Sequence, residues 1–68
     1  MPLQDAFDLF QLLGVHPDML SRSEFSAAYH RLAQRFHPDV NPAPAAVELM
    51  AHINVARTAI LQGYRHPT

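Results

Sequence analysis

Apolar positions along the chain gather into three stretches, divided by two connections that contain proline. In the first stretch Ala6, Phe10 and Leu13 fall on one face with Leu9 beside them, a stripe at the roughly 3.6-residue period of an amphipathic helix. The spacing predicts a helix over residues 5–13, with Asp5 as N-cap and Gly14 as the glycine just past its end. Val15-His16-Pro17-Asp18 then reads as a turn-forming connection.

The second stretch has the best-marked start. Ser21-Arg22-Ser23-Glu24 fits a capping box, in which the serine hydroxyl serves an orphan amide and the glutamate reaches back. Leu20 and Phe25 flank it as a hydrophobic staple. Phe25, Ala28, Tyr29, Leu32 and Phe36 recur at steps of three and four, while Glu24, His30, Arg31, Gln34 and Arg35 take mostly the other positions. His37 precedes Pro38, and a residue before proline is disfavoured in the α region, so the helix is predicted over 21–36. Residues 39–43 cannot be regular helix, and Pro44 suits a first helical turn. The third helix is predicted over 44–61, with Leu49, Ile53, Ala56 and Ile60 on its apolar side and Val47 and Met50 bordering them. Gly63 is the expected stop, and residues 62–68 are expected to fray. The expected fold is all-α: an antiparallel hairpin of 21–36 and 44–61 with a short N-terminal helix packed across it, in a single domain of residues 1–68.

Composition narrows the function classes. Sixty-eight residues make one domain at most, and a chain this short buries only about 60% of the surface its unfolded form exposes. With no cysteine there is neither a disulfide framework nor a thiolate metal site. Apolar residues at 49% and a net charge of −1 are not the composition of a disordered chain. That charge also argues against a nucleic-acid binder, which usually carries a cationic excess. No apolar run approaches the roughly 20 residues of a membrane span, and MPLQDAF lacks the basic start and apolar stretch of a signal peptide. A cytoplasmic monomer with neither membrane nor nucleic acid as partner is expected.

The tripeptide His-Pro-Asp occurs twice, at 16–18 and at 37–39. The first copy sits in a connection where ordinary turn chemistry accounts for it. The second closes a longer pattern, Ala28-Tyr29-His30-Arg31-Leu32-Ala33-Gln34-Arg35-Phe36-His37-Pro38-Asp39-Val40-Asn41. That run resembles the second helix and following loop of J-domains. Asp8-Leu9-Phe10-Gln11-Leu12-Leu13-Gly14-Val15 is similar to the family's opening, and Met50-Ala51-His52-Ile53-Asn54-Val55-Ala56 to its third helix. The resemblance covers residues 8–61 in one register. The chain departs from the pattern at His30, where a lysine or arginine is usual, at Arg57, where an aromatic is common, and at Met50, where phenylalanine is frequent. The family's short fourth helix is absent or vestigial after Gly63.

The resemblance implies a co-chaperone that is not an enzyme, needs no cofactor and docks on a DnaK-type heat-shock chaperone to stimulate its ATP hydrolysis. It implies a docking set of Tyr29, His30, Arg31, Arg35, His37, Pro38, Asp39 and Asn41. Arg31 and Arg35 would offer fork-shaped donors to carboxylates, and Asp39 would pair with a basic residue of the partner. Pro38 would turn the loop off the helix axis, His37 would supply ring N–H groups, and Asn41 would tie the loop down with its amide. Without that motif, Arg31 and Arg35, spaced i,i+4, would read as a solvated face; with it, docking is the favoured role. The five histidines offer no metal-ligand spacing, and His37 and Asp39 lack a nucleophile for catalysis. Two rival readings stay open: a J-like interaction module without ATPase stimulation, and a helix-turn-helix nucleic-acid binder. The long proline-containing second connection speaks against the latter. Client-binding regions have no counterpart here, so the chain is expected to be a stand-alone J-protein or one domain of something longer, with further domains or an unknown scaffold as additional partners.

Overall fold

The computed structural model describes residues 1–65 and is helical throughout its ordered elements: α1 (Leu3–Leu12), a 3-10 turn (Pro17–Met19), α2 (Arg22–Phe36) and α3 (Pro44–Arg65). No strand is present among the described residues.

Helix α1 starts two residues before its predicted boundary. Pro2, in extended conformation, occupies the N-cap position with no side-chain cap, and its carbonyl accepts from the Ala6 N–H at 3.1 Å. Asp5 therefore lies inside the first turn, where a carboxylate meets the positive end of the helix dipole, and is not the cap. The other end follows the expectation from Gly14. The Gly14 N–H donates to the Gln11 carbonyl at 3.0 Å and the Val15 N–H to the Phe10 carbonyl at 2.8 Å, the paired bonds of a Schellman motif. Gly14 carries the positive φ, +85°, that this ending requires.

Helix α2 has the capping box read from the sequence. The Ser21 N–H donates to Glu24 Oε1 at 2.9 Å and the Glu24 N–H donates to Ser21 Oγ at 3.2 Å. Those bonds hold the Glu24 carboxyl below its ordinary value of 4.5, the Ser21 backbone contributing most. The helix ends at Phe36 because His37, ahead of Pro38, turns to ψ 140°.

Helix α3 begins at Pro44 as predicted but runs to Arg65, through Gly63. Tertiary contacts extend it past the point where local propensity would stop it. A Cβ on Gly63 would stand 3.9 Å from the Leu3 methyls, so the glycine lies close to α1. One residue on, the Tyr64 ring lies 6.2 Å from that of Phe25. The Tyr64 hydroxyl donates to the carbonyls of Pro17 (2.9 Å) and Leu20 (2.8 Å), a bifurcated bond because it has one proton. Burial, followed by the charges of Glu24 and Asp18, raises the Tyr64 pKa above its ordinary value of 10.0. Tyr64 is thus a latch on the α1–α2 connection and does not belong to a frayed tail; His66, Pro67 and Thr68 lie outside the described residues.

Contacts between α2 and α3 run in opposite order along the two helices. Arg22 neighbours Leu61 and Gln62, whereas Tyr29 meets Asn54 and Arg57. The pair is therefore an antiparallel hairpin, and α1 lies mainly against α3. Ala6, Phe10, Phe25, Leu32, Met50, Ile53, Ala56 and Ile60 form the core. The Phe10 and Phe25 rings meet edge to face, 5.0 Å apart at 71°. Each phenylalanine is fully buried, a contribution of about 1.5–3 kcal/mol apiece. Ile53, Ala56 and Ile60 of the predicted stripe are buried, but toward the start of α3 the buried side shifts by one position. Ala46 and Met50 are inside, Leu49 is half-buried and Val47 is exposed, because α3 must face α1 and α2 together.

Candidate docking site

Helix α2 buries Phe25, Ala28 and Leu32 and leaves His30, Arg31, Gln34 and Arg35 exposed. The exposed residues occupy two flanks. His30 and Gln34 line a shallow cavity of about 350 Å³ with Ala33, His37, Asp39 and Val40, so His30 sits beside the loop. Arg31 borders an apolar groove on the other flank, with Val15, His16, Met19 and Leu20. Arg35 keeps its guanidinium 5.5 Å from the Phe36 ring, a cation–π distance that orders the side chain.

Tyr29 is half-buried between the helices. Its hydroxyl donates to Asn54 Oδ1, and the Arg57 guanidinium lies 4.7 Å over its ring. Neither supporting residue was assigned a role from the sequence. The signal for both is the antiparallel register, which brings Asn54 and Arg57, spaced i,i+3 on α3, opposite Tyr29.

The loop after α2 is a tight turn. The N–H groups of Val40 and Asn41 both donate to the His37 carbonyl, at 2.9 and 2.8 Å. Asn41 thus ties the loop through its backbone amide, where the sequence suggested its side chain. The Asp39 N–H donates to His37 Nδ1 at 3.2 Å, and Asp39 Oδ2 stands 3.5 Å from the same nitrogen. The two contacts belong to different protonation states: an accepting Nδ1 carries no proton, whereas an ion pair needs one there. The His37 side chain is 54% exposed and that of Asp39 is 90% exposed, so the turn presents both groups to solvent.

The other copy of the tripeptide has a different setting. Pro17 is fully buried and its carbonyl accepts from Tyr64, while His16 precedes the 3-10 turn and receives the Met19 N–H on its carbonyl at 3.0 Å. In the first copy the proline is packed while His16 and Asp18 are exposed; in the second all three residues are exposed. Among the described residues no three His, Cys, Asp or Glu side chains are placed to hold a metal ion, and no helix is long and apolar enough to cross a membrane.

A helical hairpin with a crossing first helix, and a His-Pro-Asp turn standing free at the end of its second helix, defines a small all-α interaction module. The DnaJ-domain family model matches residues 8–63, and the chain belongs to that family. Among its relatives are a DnaJ-like protein of Mycoplasma genitalium, 40% identical over 78% of this chain, and a chaperone protein DnaJ of a Synechococcus strain, 47% identical over 75%. A chaperone protein DnaJ 1 of Aquifex aeolicus is 36% identical over 85%. The chain spans 9%, 13% and 16% of the length of these three relatives, respectively. No solved structure matches.

Proposed function

We propose that this chain is a J-domain co-chaperone, a single domain of residues 1–68 that acts as a cytoplasmic monomer. It docks on a DnaK-type chaperone through Tyr29, His30, Arg31, Arg35, His37, Pro38, Asp39 and Asn41 and stimulates that partner's ATP hydrolysis. The carrying observation is the contrast between the two tripeptides: one is anchored by a buried Pro17 and latched by Tyr64, the other projects beside His30 and Gln34 of α2. In this reading the chain contributes no catalytic group or cofactor and works by differential binding. It contacts the hydrolysis-competent state of the chaperone better than the other states and so shifts the population toward it. The guanidinium forks of Arg31 and Arg35 suit carboxylates, and the exposed Asp39 suits a basic residue that loses its water on contact.

The duplicated motif supplies its own control. His37→Gln should abolish ATPase stimulation of a purified DnaK-type chaperone while leaving helicity and melting temperature nearly unchanged. His16→Gln should leave stimulation intact. If the two variants behave alike, or if His16→Gln is the inactive one, the assignment is wrong.

A further inference from the structure

Where the first turn of α2 meets the last turns of α3, two arginines line one groove. Arg22, the first residue of α2, and Arg57, from α3, line a shallow cavity of about 240 Å³ together with Thr58, Leu61 and Gln62. None of the lining residues is acidic. Among the described residues the one contact of ion-pair length is that between His37 and Asp39, so neither arginine meets a carboxylate within 4.0 Å. Two positive charges with no acid among the lining residues favour an anionic partner along this groove.

The groove is also partly organised in advance. Arg57 is held over the Tyr29 ring at 4.7 Å, which limits the rotamer freedom its side chain would lose on binding. The Gln62 amide adds donors for an oxyanion, whereas the Thr58 hydroxyl spends its one proton on the Asn54 carbonyl at 3.2 Å and offers none. Tyr29 joins this groove to the docking site, because the ring that carries Arg57 on one side lies 5.8 Å from the His30 ring.

We propose that Arg22 and Arg57 form a second cationic contact, which takes a carboxylate-rich segment of the chaperone partner and extends the docking surface from α2 onto α3. The inference rests on the docking reading above. Its occupant follows from charge: two arginines and an amide, with no acid among the lining residues, fit an acidic segment.

The test measures affinity for a purified DnaK-type chaperone by calorimetry at several salt concentrations. The variants are Arg22→Gln, Arg57→Gln, Arg57→Phe and the Arg22→Gln/Arg57→Gln double, with His37→Gln as the reference for docking itself. Each single loss of charge should weaken binding about 1.5- to fivefold, as for an exposed ion pair. The double variant should weaken it by roughly the product and show a shallower dependence on salt. Arg57→Phe keeps a ring against Tyr29 without the charge, so it should bind as weakly as Arg57→Gln. If Arg57→Phe binds like wild type while Arg57→Gln does not, Arg57 only positions Tyr29 and the proposal is overturned. It is overturned alone if all the arginine variants bind like wild type while His37→Gln loses binding or stimulation. Should His37→Gln also match wild type in both, the docking reading itself fails.

Discussion

Replacing Tyr64 by phenylalanine removes one oxygen and leaves the ring against Phe25 in place. The lost hydroxyl serves two carbonyls 44 and 47 residues away in sequence. The Pro17 carbonyl also receives the Leu20 N–H at 3.2 Å and so keeps a partner, whereas Leu20 loses the bond that Tyr64 gives it. The net loss is one hydrogen bond, typically 0.5–1.5 kcal/mol, plus part of the cost of an unsatisfied carbonyl. That gives about 1–2 kcal/mol in all. For a domain this small, each kcal/mol lowers the melting temperature by roughly 4–8 °C, so a fall of about 4–16 °C is expected in far-ultraviolet circular dichroism. The same hydroxyl gives the effect a pH signature. Its pKa is raised in the folded state, by burial first and then by Glu24 and Asp18, so its stabilisation is complete below the ordinary value of 10.0 and is lost as pH rises through the higher folded value. The gap between wild type and Tyr64→Phe should be constant up to about pH 10 and close above it. Equal melting temperatures at neutral pH, or a gap that persists after the tyrosine has ionised, would refute the latch.

Four further outcomes are expected. Ser21→Ala should lower stability by about 0.5–2 kcal/mol in urea unfolding, as the loss of a capping hydroxyl does. Because the Glu24 carboxyl is held below 4.5, its part of the box is present above that value and lost as pH falls through the lowered one, so Glu24→Gln should flatten the acid limb of the stability profile. Gly14→Ala should cost roughly 1–2 kcal/mol through backbone strain alone, since φ is +85° and an added Cβ would meet nothing within 4 Å; a thermal melt equal to that of wild type would show that the loop relaxes instead. Arg31→Glu or Arg35→Glu should weaken chaperone binding by roughly two- to thirtyfold at low salt, attraction turning to repulsion at an exposed pair, and salt-independent affinity would make these arginines bystanders.

What could be read from the chain was whatever is settled within a few residues. The Ser21–Glu24 box, the Gly14 ending, the stop before Pro38 and the start at Pro44 each depend on neighbours in sequence, and the structure has them where the pattern put them. Most of the misplacements depend on distant partners. Gly63 would end an isolated helix, but Leu3 packs close to it and Tyr64 reaches across to the first connection. Met50 is in the core and Leu49 at its edge because α3 faces two helices at once. Asp5 looked like a cap because its residue type favours one, yet Pro2 already supplies the extended entry. At the candidate site, the spacing of 28–41 picked out the exposed turn. It could not show that His30 and Arg31 diverge onto separate flanks, or that Asn54 and Arg57 hold Tyr29.

The latch ties the first connection to α3 and leaves the second connection to its own bonds. The amides of Met19 and Leu20 donate within the 3-10 turn, and that turn is pinned by a hydroxyl from the last described residues of α3. The amides of Val40 and Asn41 answer only to the His37 carbonyl, at the opposite end of the hairpin. Unravelling the final turn of α3 should therefore expose residues 16–20 to hydrogen exchange while the turn at 37–41 keeps its own rate. Two identical tripeptides in one short chain then become reporters of different events, the first of the last turn of α3 letting go and the second of its own loop alone.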